Sequence, residues 1–387
     1  MERNVKIAYF LSFTFHSWFW MGNWIFYYLM FGGYVTVAML DSGALLAGLL
    51  YEIPTGAFAD LVGKKKTLTL AFLFLTIGNF LMGVSSSLWM LAGSLWFFIC
   101  LAYAFYSGTM EALLYDSLKS LKREDQFDRK MGSLGAVRLW AMALSAIIGG
   151  VAFNYYPGLP YLLSGVVSLL GFVACFLLVE PKVDTEKYSL KTFFIQNTKG
   201  IRVLFGDEYI KRLSWYLVVT GGMMVFIYNL LDDLLAVEYG FTPTTISWLF
   251  SVACLVAGVA TYFIPRWKIK MSLRKLLILP IVIIALCLAV SPIVGMWLSA
   301  LLLMIRVIGE SVYQNYTSVV INENTDSAVR ATILSSLSLL RNIPYALFGT
   351  FVGRAVSLAG GAKNFAMYYG IVLLVLALWF GSKLRKV

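Results

Sequence analysis

The chain has 387 residues, of which 60% are hydrophobic and 13% are charged, and its mean hydropathy is +0.80. Soluble domains carry about 25% charged residues, so this composition excludes an ordinary soluble protein. The formal net charge of +11 would suit a nucleic-acid-binding protein, but the positions of the basic residues explain it without a nucleic acid.

Twelve segments are apolar over roughly the 20 residues that a helix needs to cross a bilayer, or more. Only helices and closed barrels satisfy their backbone hydrogen bonds in lipid, and these segments are too long and too uniformly apolar for barrel strands. The sequence therefore predicts an all-α membrane protein with twelve transmembrane helices. The predicted spans are 7–31, 38–62, 67–86, 88–118, 131–154, 159–180, 210–236, 243–265, 272–291, 294–322, 328–353 and 363–382.

Lysine and arginine cluster in every second loop and near both ends, whereas the alternate loops hold only Arg354 and Lys363. Cytoplasmic loops carry this excess of positive charge, so we expect both termini in the cytoplasm and the protein in the inner (plasma) membrane. The first span shows no small-residue cleavage site, which favours a retained helix over a signal peptide. The basic clusters are Arg3 with Lys6, Lys64–Lys66, Lys119–Lys130, Lys182–Arg212, Arg266–Lys275, Arg330 and Lys383–Lys386.

Four polar and aromatic residues of the first span are His16, Trp20, Asn23 and Trp24. Their spacing of i, i+4, i+7 and i+8 predicts one face of a helix. That face could line a substrate cavity with aromatic walls. Aromatic packing between helices explains the pattern equally well.

The second and third spans are joined by a very short polar turn around Gly63 and Lys64–Lys66. Glycine permits the tight backbone, and the lysines hold the turn on the cytoplasmic side. Asp60 lies at the membrane edge, where a carboxylate needs partners. Glu52 lies roughly 15 Å deeper, without a basic residue within one turn. It is therefore our first candidate for a proton carrier, because an unpaired buried carboxylate is readily protonated.

Gly56 to Leu68 fits the pattern G-x-x-x-D-x-x-G-[RK]-[RK]-x-x-L and so resembles the signature loop of the major facilitator superfamily. Two sets of six spans with a linker between them match the same family over the whole chain. The segments 52–56 and 107–116 look like those of bacterial efflux-type members. One departure is Leu61, which replaces an arginine that often follows the aspartate.

The resemblance implies two pseudo-symmetric six-helix bundles around a central cavity that opens alternately to either side. In this family Asp60 meets the start of the eleventh helix, and Lys64 can reach Asp116 at the end of the fourth. Such contacts form a latch that holds the inner face closed. A loop that merely fixes topology is the alternative. The latch candidates are Gly56, Asp60, Gly63, Lys64, Lys65 and Asp116.

Deep charges on later spans form two candidate pairs. Glu111 and Arg138 lie on consecutive helices at a matched depth of about 10–12 Å from the cytoplasmic end, which allows an ion pair. Arg306 and Glu310 are four residues apart and share a helix face, so we expect Arg306 to hold Glu310 ionised. Glu310 and Glu111 are therefore later candidates than Glu52 for proton coupling.

Arg341 and Asn342 lie near mid-membrane on the eleventh span and are further cavity candidates. A charge at the bilayer centre costs about 2.5–3.5 kcal/mol, so each deep charge needs a partner or water. Either all of these residues form structural pairs, or at least one acid carries protons or touches substrate. The acids at the outer ends of spans, Asp41, Asp232, Asp233 and Glu238, are interpreted as solvated rim charges.

The long polar stretch 181–209 divides the chain into 1–180 and 210–387. Apolar residues within it recur at helical spacing, which favours an amphipathic helix on the inner membrane surface over a flexible linker. An offset of 202 places Gly56–Lys64 over Gly258–Arg266. An offset of 203 places Ser133-Leu134-x-x-x-Arg138 over Ser336-Leu337-x-x-x-Arg341. These offsets indicate that the two halves are repeats.

The fifth span ends in Ser145-Ala146-Ile147-Ile148-Gly149-Gly150. Proton-exchanging efflux members often carry G-x-x-x-G-P-x-x-G-G there, and this chain keeps the closing glycine pair but not the Gly-Pro. Small residues at these positions allow close approach between helices.

No phosphate-binding loop, catalytic triad or metal motif occurs, and the four cysteines show no disulfide or ligand spacing. We therefore expect no enzyme activity and no cofactor. Three functions fit. The first is a monomeric, proton-coupled exporter of small amphipathic molecules. The second is a proton-coupled importer of a polar or anionic metabolite. The third is a transporter-like sensor or lipid-handling protein, although a sensor is expected to carry an output domain that this sequence does not show.

Overall fold

The structure is a computed structural model that describes residues 1–181, 198, 200–206, 208–263, 272–323 and 330–384. The regular secondary structure of these residues is helical, without a β-strand in the described ranges. The prediction of an all-α fold is therefore confirmed. Most of the predicted linker helix and the end of the second copy of the loop, from residue 264 onward, lie outside the described residues.

The first half of the chain contains nine α-helices in the part described. Ser94–Ile99 is a π-helical turn that joins α5 to α6. The helices are α1 (Glu2–Phe15), α2 (Trp24–Leu29), α3 (Tyr34–Val62), α4 (Lys64–Gly83), α5 (Leu88–Gly93), α6 (Cys100–Tyr106), α7 (Thr109–Ser120), α8 (Phe127–Phe153) and α9 (Leu159–Cys175).

The second half contains seven α-helices in the part described. A π-helical turn, Ile227–Leu231, again joins two helices. The helices are α10 (Glu208–Phe226), α11 (Asp232–Glu238), α12 (Pro243–Phe263), α13 (Leu273–Ala289), α14 (Met296–Glu323), α15 (Arg330–Leu358) and α16 (Ala362–Ser382).

Seven helical segments of the described chain are long and apolar enough to cross a membrane, and shorter apolar helices run Leu159–Cys175 and Pro243–Val256. A multi-pass membrane protein is thereby supported. The number seven falls short of the twelve predicted spans. The seven segments are Tyr34–Glu52, Lys64–Gly83, Leu88–Ser120, Glu124–Phe153, Ile210–Glu238, Met296–Ile321 and Ala362–Ser382.

Two compact units can be separated. Unit 1 comprises the described residues of Met1–Phe31, Gly43–Phe193 and Pro243–Val252, and unit 2 those of Gly32–Ser42, Phe194–Thr242 and Ala253–Val387. This grouping differs from the division at 181–209 because two short segments, 32–42 and 243–252, join the unit formed mainly by the other half. The three-part domain division itself stays a prediction.

Equivalent helices pack against each other inside each unit. In unit 1, α4 packs most extensively on α9, and α1 packs on α8. In unit 2, α13 packs on α16, and α10 packs on α15. In the numbering of the predicted spans, the third packs on the sixth and the first on the fifth in unit 1. Six spans later, the ninth packs on the twelfth and the seventh on the eleventh in unit 2. Two repeats of six spans would give this pattern.

The first predicted span is not one continuous helix, which corrects the sequence interpretation. α1 ends at Phe15, residues 16–23 form turns, and α2 begins at Trp24. Gly22 has a φ of 82°, which favours glycine. Periodicity alone could not predict this break, because its residues are as apolar and aromatic as those of a helix.

Candidate functional site

The turn between α3 and α4 consists of a single residue outside the helices, Gly63, with a φ of 98°. A Cβ atom at this position would lie 3.0 Å from the carboxyl carbon of Glu180. The Glu180 carboxylate accepts hydrogen bonds from the backbone N–H groups of Lys64 and Lys65, each at 2.8 Å. Glu180 thus neutralises the positive N-terminal end of α4. Sequence analysis missed this role, for which the only signal was an acid at the end of the sixth span.

The lysines of the turn connect α4 to two further helices of unit 1. Lys64 Nζ forms an ion pair with Asp116 Oδ2 on α7, with both side chains nearly inaccessible at 9% and 6% exposure. Lys65 Nζ donates to the carbonyl of Phe176 at 3.0 Å. The contact that the family resemblance implied for Lys64 is therefore present.

Two latch candidates cannot be placed in the same detail. Of Gly56 and Asp60 the structure describes only the helical backbone within α3. The part played by Asp60, and the gating role of the whole turn, stay predictions.

Unit 1 contains a cavity of about 330 Å³ lined by aromatic and charged side chains. His16 reaches it, and its Nδ1 donates to the carbonyl of Ser12 at 2.8 Å. Phe15 stacks on Tyr106 in the cavity wall, with ring centroids 3.7 Å apart. The aromatic and titratable residues of its lining include His16, Trp18, Tyr103, Tyr106, Glu111 and Arg138.

The ion pair predicted between Glu111 and Arg138 is not formed, although both residues line this cavity. Among the ion pairs that the described chain makes within 4.0 Å, neither residue occurs. Both side chains are exposed to the cavity, on α7 and α8 respectively. Glu111 and Arg138 therefore line the same cavity, as their matched depth predicts, but they are not in contact.

Three of the four cavity candidates from the first span are outside the lining of this cavity and pack against other groups. Trp20 stacks between Trp18 and Tyr161, with ring centroids 5.4 and 6.2 Å away. Asn23 is buried and donates to the carbonyl of Phe19 at 2.9 Å. Trp24 contacts Tyr28 edge to face. The broken helix, which removes the common face, is the reason.

Unit 2 contains a second cavity of about 240 Å³, in which the main charged group is Arg341. Its Nε donates to the carbonyl of Leu217 at 2.9 Å, and its Nη2 lies 3.4 Å from the hydroxyl of Tyr313. The guanidinium carbon lies 5.6 Å from the centre of the Tyr313 ring. A Cβ atom at Gly221 would lie 2.3 Å from Arg341 Nε, so the position of the guanidinium requires glycine there.

The remaining lining of this cavity combines polar side chains with the apolar residues Val225, Leu334 and Leu337. Asn342 donates from Nδ2 to Ser338 Oγ at 3.3 Å, and Gln314, Ser318 and Tyr228 are further polar residues of the wall. Arg341 and Asn342, both predicted from sequence, are thus placed together.

The two cavities are lined by residues that the sequence repeat relates. An offset of 203 relates the arginines 138 and 341, and the same offset relates Glu111 to Gln314. Each member of these pairs lines the cavity of its own unit. Further pairs at this offset are Trp18 with Gly221, Met131 with Leu334, Leu134 with Leu337, and Gly135 with Ser338. Equivalent positions therefore form a cavity in each unit.

Arg306 does not pair with Glu310, which corrects a second prediction. Arg306 Nη2 and Nε lie 2.6 and 2.8 Å from Asp232 Oδ1, with the two side chains 4% and 17% exposed. Glu310 is half-buried and is in no ion pair of the described chain. The π-helical turn Ile227–Leu231 precedes Asp232 and adds a residue to the helix, which changes the side that faces inward.

The supposed rim acids are also engaged. Asp232 is in the buried pair, and Tyr345 donates its hydroxyl to Asp41 Oδ2 at 2.5 Å. Glu238 accepts from the N–H of Lys363 at 2.9 Å, from the N–H of Ala362, and from the hydroxyl of Tyr34 at 2.7 Å. Glu238 therefore caps the N-terminus of α16. Glu52 on α3 is exposed.

Known proteins share this architecture. The profile of the Major Facilitator Superfamily matches residues 7–349. An uncharacterised MFS-type transporter, YxaM of Bacillus subtilis (strain 168), is 21% identical over 245 residues, which cover 62% of this chain and 59% of that relative. The match thus spans less than two thirds of the relative's length.

Solved structures agree in fold. The nucleoside transporter NupG superposes with a TM-score of 0.81 at 14% identity, over 99% of both chains. A POT family transporter in complex with 5-aminolevulinic acid superposes with a TM-score of 0.75 at 16% identity, over 99% of this chain and 97% of the other. Seven helical segments of the described chain are long and apolar enough to cross a membrane. With a family profile over residues 7–349, this chain belongs to the major facilitator superfamily, which supports a transporter over an enzyme.

Proposed function

We propose that the protein is a proton-coupled secondary transporter that moves a small amphipathic organic molecule by alternating access. The observation that carries this proposal is the pair of cavities lined by repeat-related residues. The unit 1 cavity offers aromatic rings for an apolar part of a substrate, and the unit 2 cavity offers hydrogen-bonding groups and a cation. Ligand sites combine apolar walls with a few polar groups in this way.

The proposed topology has twelve spans in two pseudo-symmetric bundles, 1–180 and 210–387, joined by a cytoplasmic linker at 181–209. Basic residues in alternate loops support cytoplasmic termini in the inner membrane. Equivalent helix pairs inside the two units support the repeat. We take the working unit in the lipid bilayer to be a monomer.

Export is the proposed direction, because segments 52–56 and 107–116 resemble efflux-type members. Import of an anionic metabolite is the second candidate. It is favoured by Arg138 and Arg341, which line cavities without a carboxylate partner in the described chain. Neighbours of similar fold are named as nucleoside and peptide transporters, so polar solutes suit this architecture.

Three acids are proposed as proton carriers. Glu111 lines the unit 1 cavity, where substrate and proton could compete. Glu310 is left without an ion pair because Arg306 binds Asp232. Glu52 is exposed on α3, above the turn. A carboxylate without a fixed cationic partner can lose and regain a proton during each cycle.

Uptake by proteoliposomes of purified protein tests both coupling and direction. Labelled benzoate, benzamide and benzylamine serve as substrates, with the pH gradient imposed in either sense. An exporter that exchanges protons accumulates label when the interior is acidic, whereas a symporter does so when the exterior is acidic. Uptake that ignores both gradients would contradict proton coupling.

Single substitutions then identify the carrier. Glu52→Gln, Glu111→Gln and Glu310→Gln each imitate a protonated acid. The carrier variant should keep counterflow exchange but lose accumulation driven by the gradient. Glu208→Gln is the control, because Glu208 is exposed and its ion pair in the described chain is with Arg212 on its own helix. Full accumulation by all three variants would exclude these acids.

A further inference from the structure

The deep arginines of this protein fall into two kinds. Arg306 is neutralised by Asp232 within 2.6 Å and lines neither cavity. Arg138 and Arg341 are related by the repeat, line the two cavities, and make no ion pair in the described chain. A guanidinium ion is always charged, and burying it without an anion, as at Arg341, is unfavourable, whereas Arg138 is exposed to its cavity. The contrast indicates that the cavity arginines are kept for a ligand.

Arg341 is the better defined of the two. It is 8% exposed, and its orientation is fixed by the Leu217 carbonyl, by the Tyr313 hydroxyl and by the absence of a side chain at Gly221. None of these partners carries a negative charge. Because Nε is occupied by a carbonyl, the donors that remain for a ligand are on the terminal nitrogens.

The nearest acid along the facing helix does not neutralise Arg341. Glu310 lies one turn before Gln314 on α14, but it does not come within 4.0 Å of the guanidinium. The position in unit 2 that corresponds to Glu111 is Gln314, which is neutral. The unit 2 cavity therefore keeps a net positive charge.

We infer that the transported molecule carries a carboxylate and that Arg341 binds it in the unit 2 cavity. A single guanidinium balances one negative charge, which suits a carboxylate better than a phosphate ester of about −1.5 to −2. Asn342, Gln314 and Ser338 supply neutral hydrogen bonds beside it. The volume of about 240 Å³ limits the bound group to a small one. This inference rests on the proposed transport function and names its substrate class.

Thermal stabilisation of the purified full-length chain in detergent tests the charge preference. A ligand that binds the folded state raises the unfolding temperature in proportion to its affinity. The probes are benzoate, acetate and succinate, each beside its amide, together with benzylamine and phenyl phosphate. We expect at least one acid to stabilise the protein and its amide to do so at least about tenfold less tightly, since a charged hydrogen bond is lost.

Variants locate the site. Arg341→Gln should abolish the preference for the acid over its amide, and Arg341→Lys should weaken it. Arg354→Gln removes an exposed arginine from the same helix and should leave the preference unchanged. If Arg341→Gln does not fold, Arg341→Lys takes its place. The inference then requires that the preference for the acid over its amide be present in the unaltered protein and weaker in Arg341→Lys. No stabilisation by any acid, equal stabilisation by acid and amide, or a stronger effect of phenyl phosphate would overturn the inference.

Counterflow of the same labelled probes separates this inference from the proposed function. Exchange of an acid that also stabilises the protein supports both. Exchange of benzamide or benzylamine without any acid would retain transport and overturn the carboxylate site. Binding of an acid that is never exchanged would retain the site and overturn transport.

Discussion

The ion pair between Asp232 and Arg306 shows how a single contact changes the interpretation of its neighbours. Two nitrogens of Arg306 lie within 2.8 Å of one oxygen of Asp232 in a nearly inaccessible position. Removing one member leaves a buried charge without compensation, whereas removing both leaves none. Because Arg306 binds Asp232, it does not pair with Glu310 one turn away on the same helix.

The pair can be tested by a double-mutant cycle. Asp232→Asn should destabilise the protein by about 3–5 kcal/mol, because Arg306 is then buried without an anion. Asp232→Leu combined with Arg306→Met should recover most of that loss. Thermal unfolding in detergent gives the measurement. Glu208→Gln, which breaks an exposed pair on one helix, should cost less than about 1 kcal/mol. A double variant as unstable as the single one would contradict direct pairing.

At the level of elements, small residues decide how closely the helices of unit 1 approach. The carbonyl oxygen of Phe19, in the broken stretch 16–23, would lie 1.6 Å from a Cβ atom at Gly149 on α8. The backbone of one element therefore touches the backbone of another. The small residues predicted at the end of the fifth span have this physical role, although the partner of Gly149 is a turn, and only Gly150 of this glycine pair approaches a second helix, at Ser247 of α12.

Adding one methyl group to α8 tests this packing. Gly149→Ala should destabilise the protein by about 1–3 kcal/mol, because a backbone carbonyl cannot move aside as a flexible side chain can. Gly132→Ala lies on the same helix with nothing within 4 Å, so it should be neutral or stabilising by about 0.5–1 kcal/mol. Unfolding temperatures of the two variants give the comparison, and equal effects would disprove the close approach.

At the level of the whole molecule, the turn around Gly63 links three helices of unit 1. Lys64 holds α7, Lys65 and Glu180 hold the segment after α9, and Glu180 caps α4. A turn tied to so many elements can transmit a change at its position to the bundle. The family resemblance implies that Asp60 helps to close the inner face, and this role stays a prediction.

Loss of that carboxylate should favour opening toward the cytoplasm. Asp60→Asn removes an interaction with a helix N-terminus worth about 0.3–1 kcal/mol, which corresponds to at most about a fivefold change in the two populations. Labelling of Gly135→Cys and Ser338→Cys, in a background without the four native cysteines, should become faster by that factor. Asp125→Asn removes the same charge from an exposed site and should have no effect. Unchanged labelling together with full transport would remove Asp60 from the mechanism.

The sequence by itself determined the helical membrane fold, the family and five of the residues that line the cavities, namely His16, Glu111, Arg138, Arg341 and Asn342. The length of the apolar segments and the lysines of the turn follow from what the bilayer requires of each segment separately, so they can be recognised without the tertiary structure. Arg138 and Arg341, with their offset of 203, could also be recognised from the sequence, because an internal repeat places equivalent residues at a constant spacing along the chain.

Only the tertiary structure decided which partners the polar groups take. The break after Phe15 and the π-helical turn before Asp232 rotate side chains away from the faces that a regular helix would give them. Arg306 therefore binds Asp232 instead of Glu310, and Trp20 packs against aromatic rings instead of lining a cavity. Glu180 reaches α4 across 115 residues of chain. Such contacts depend on the relative position of distant helices, which local periodicity does not encode.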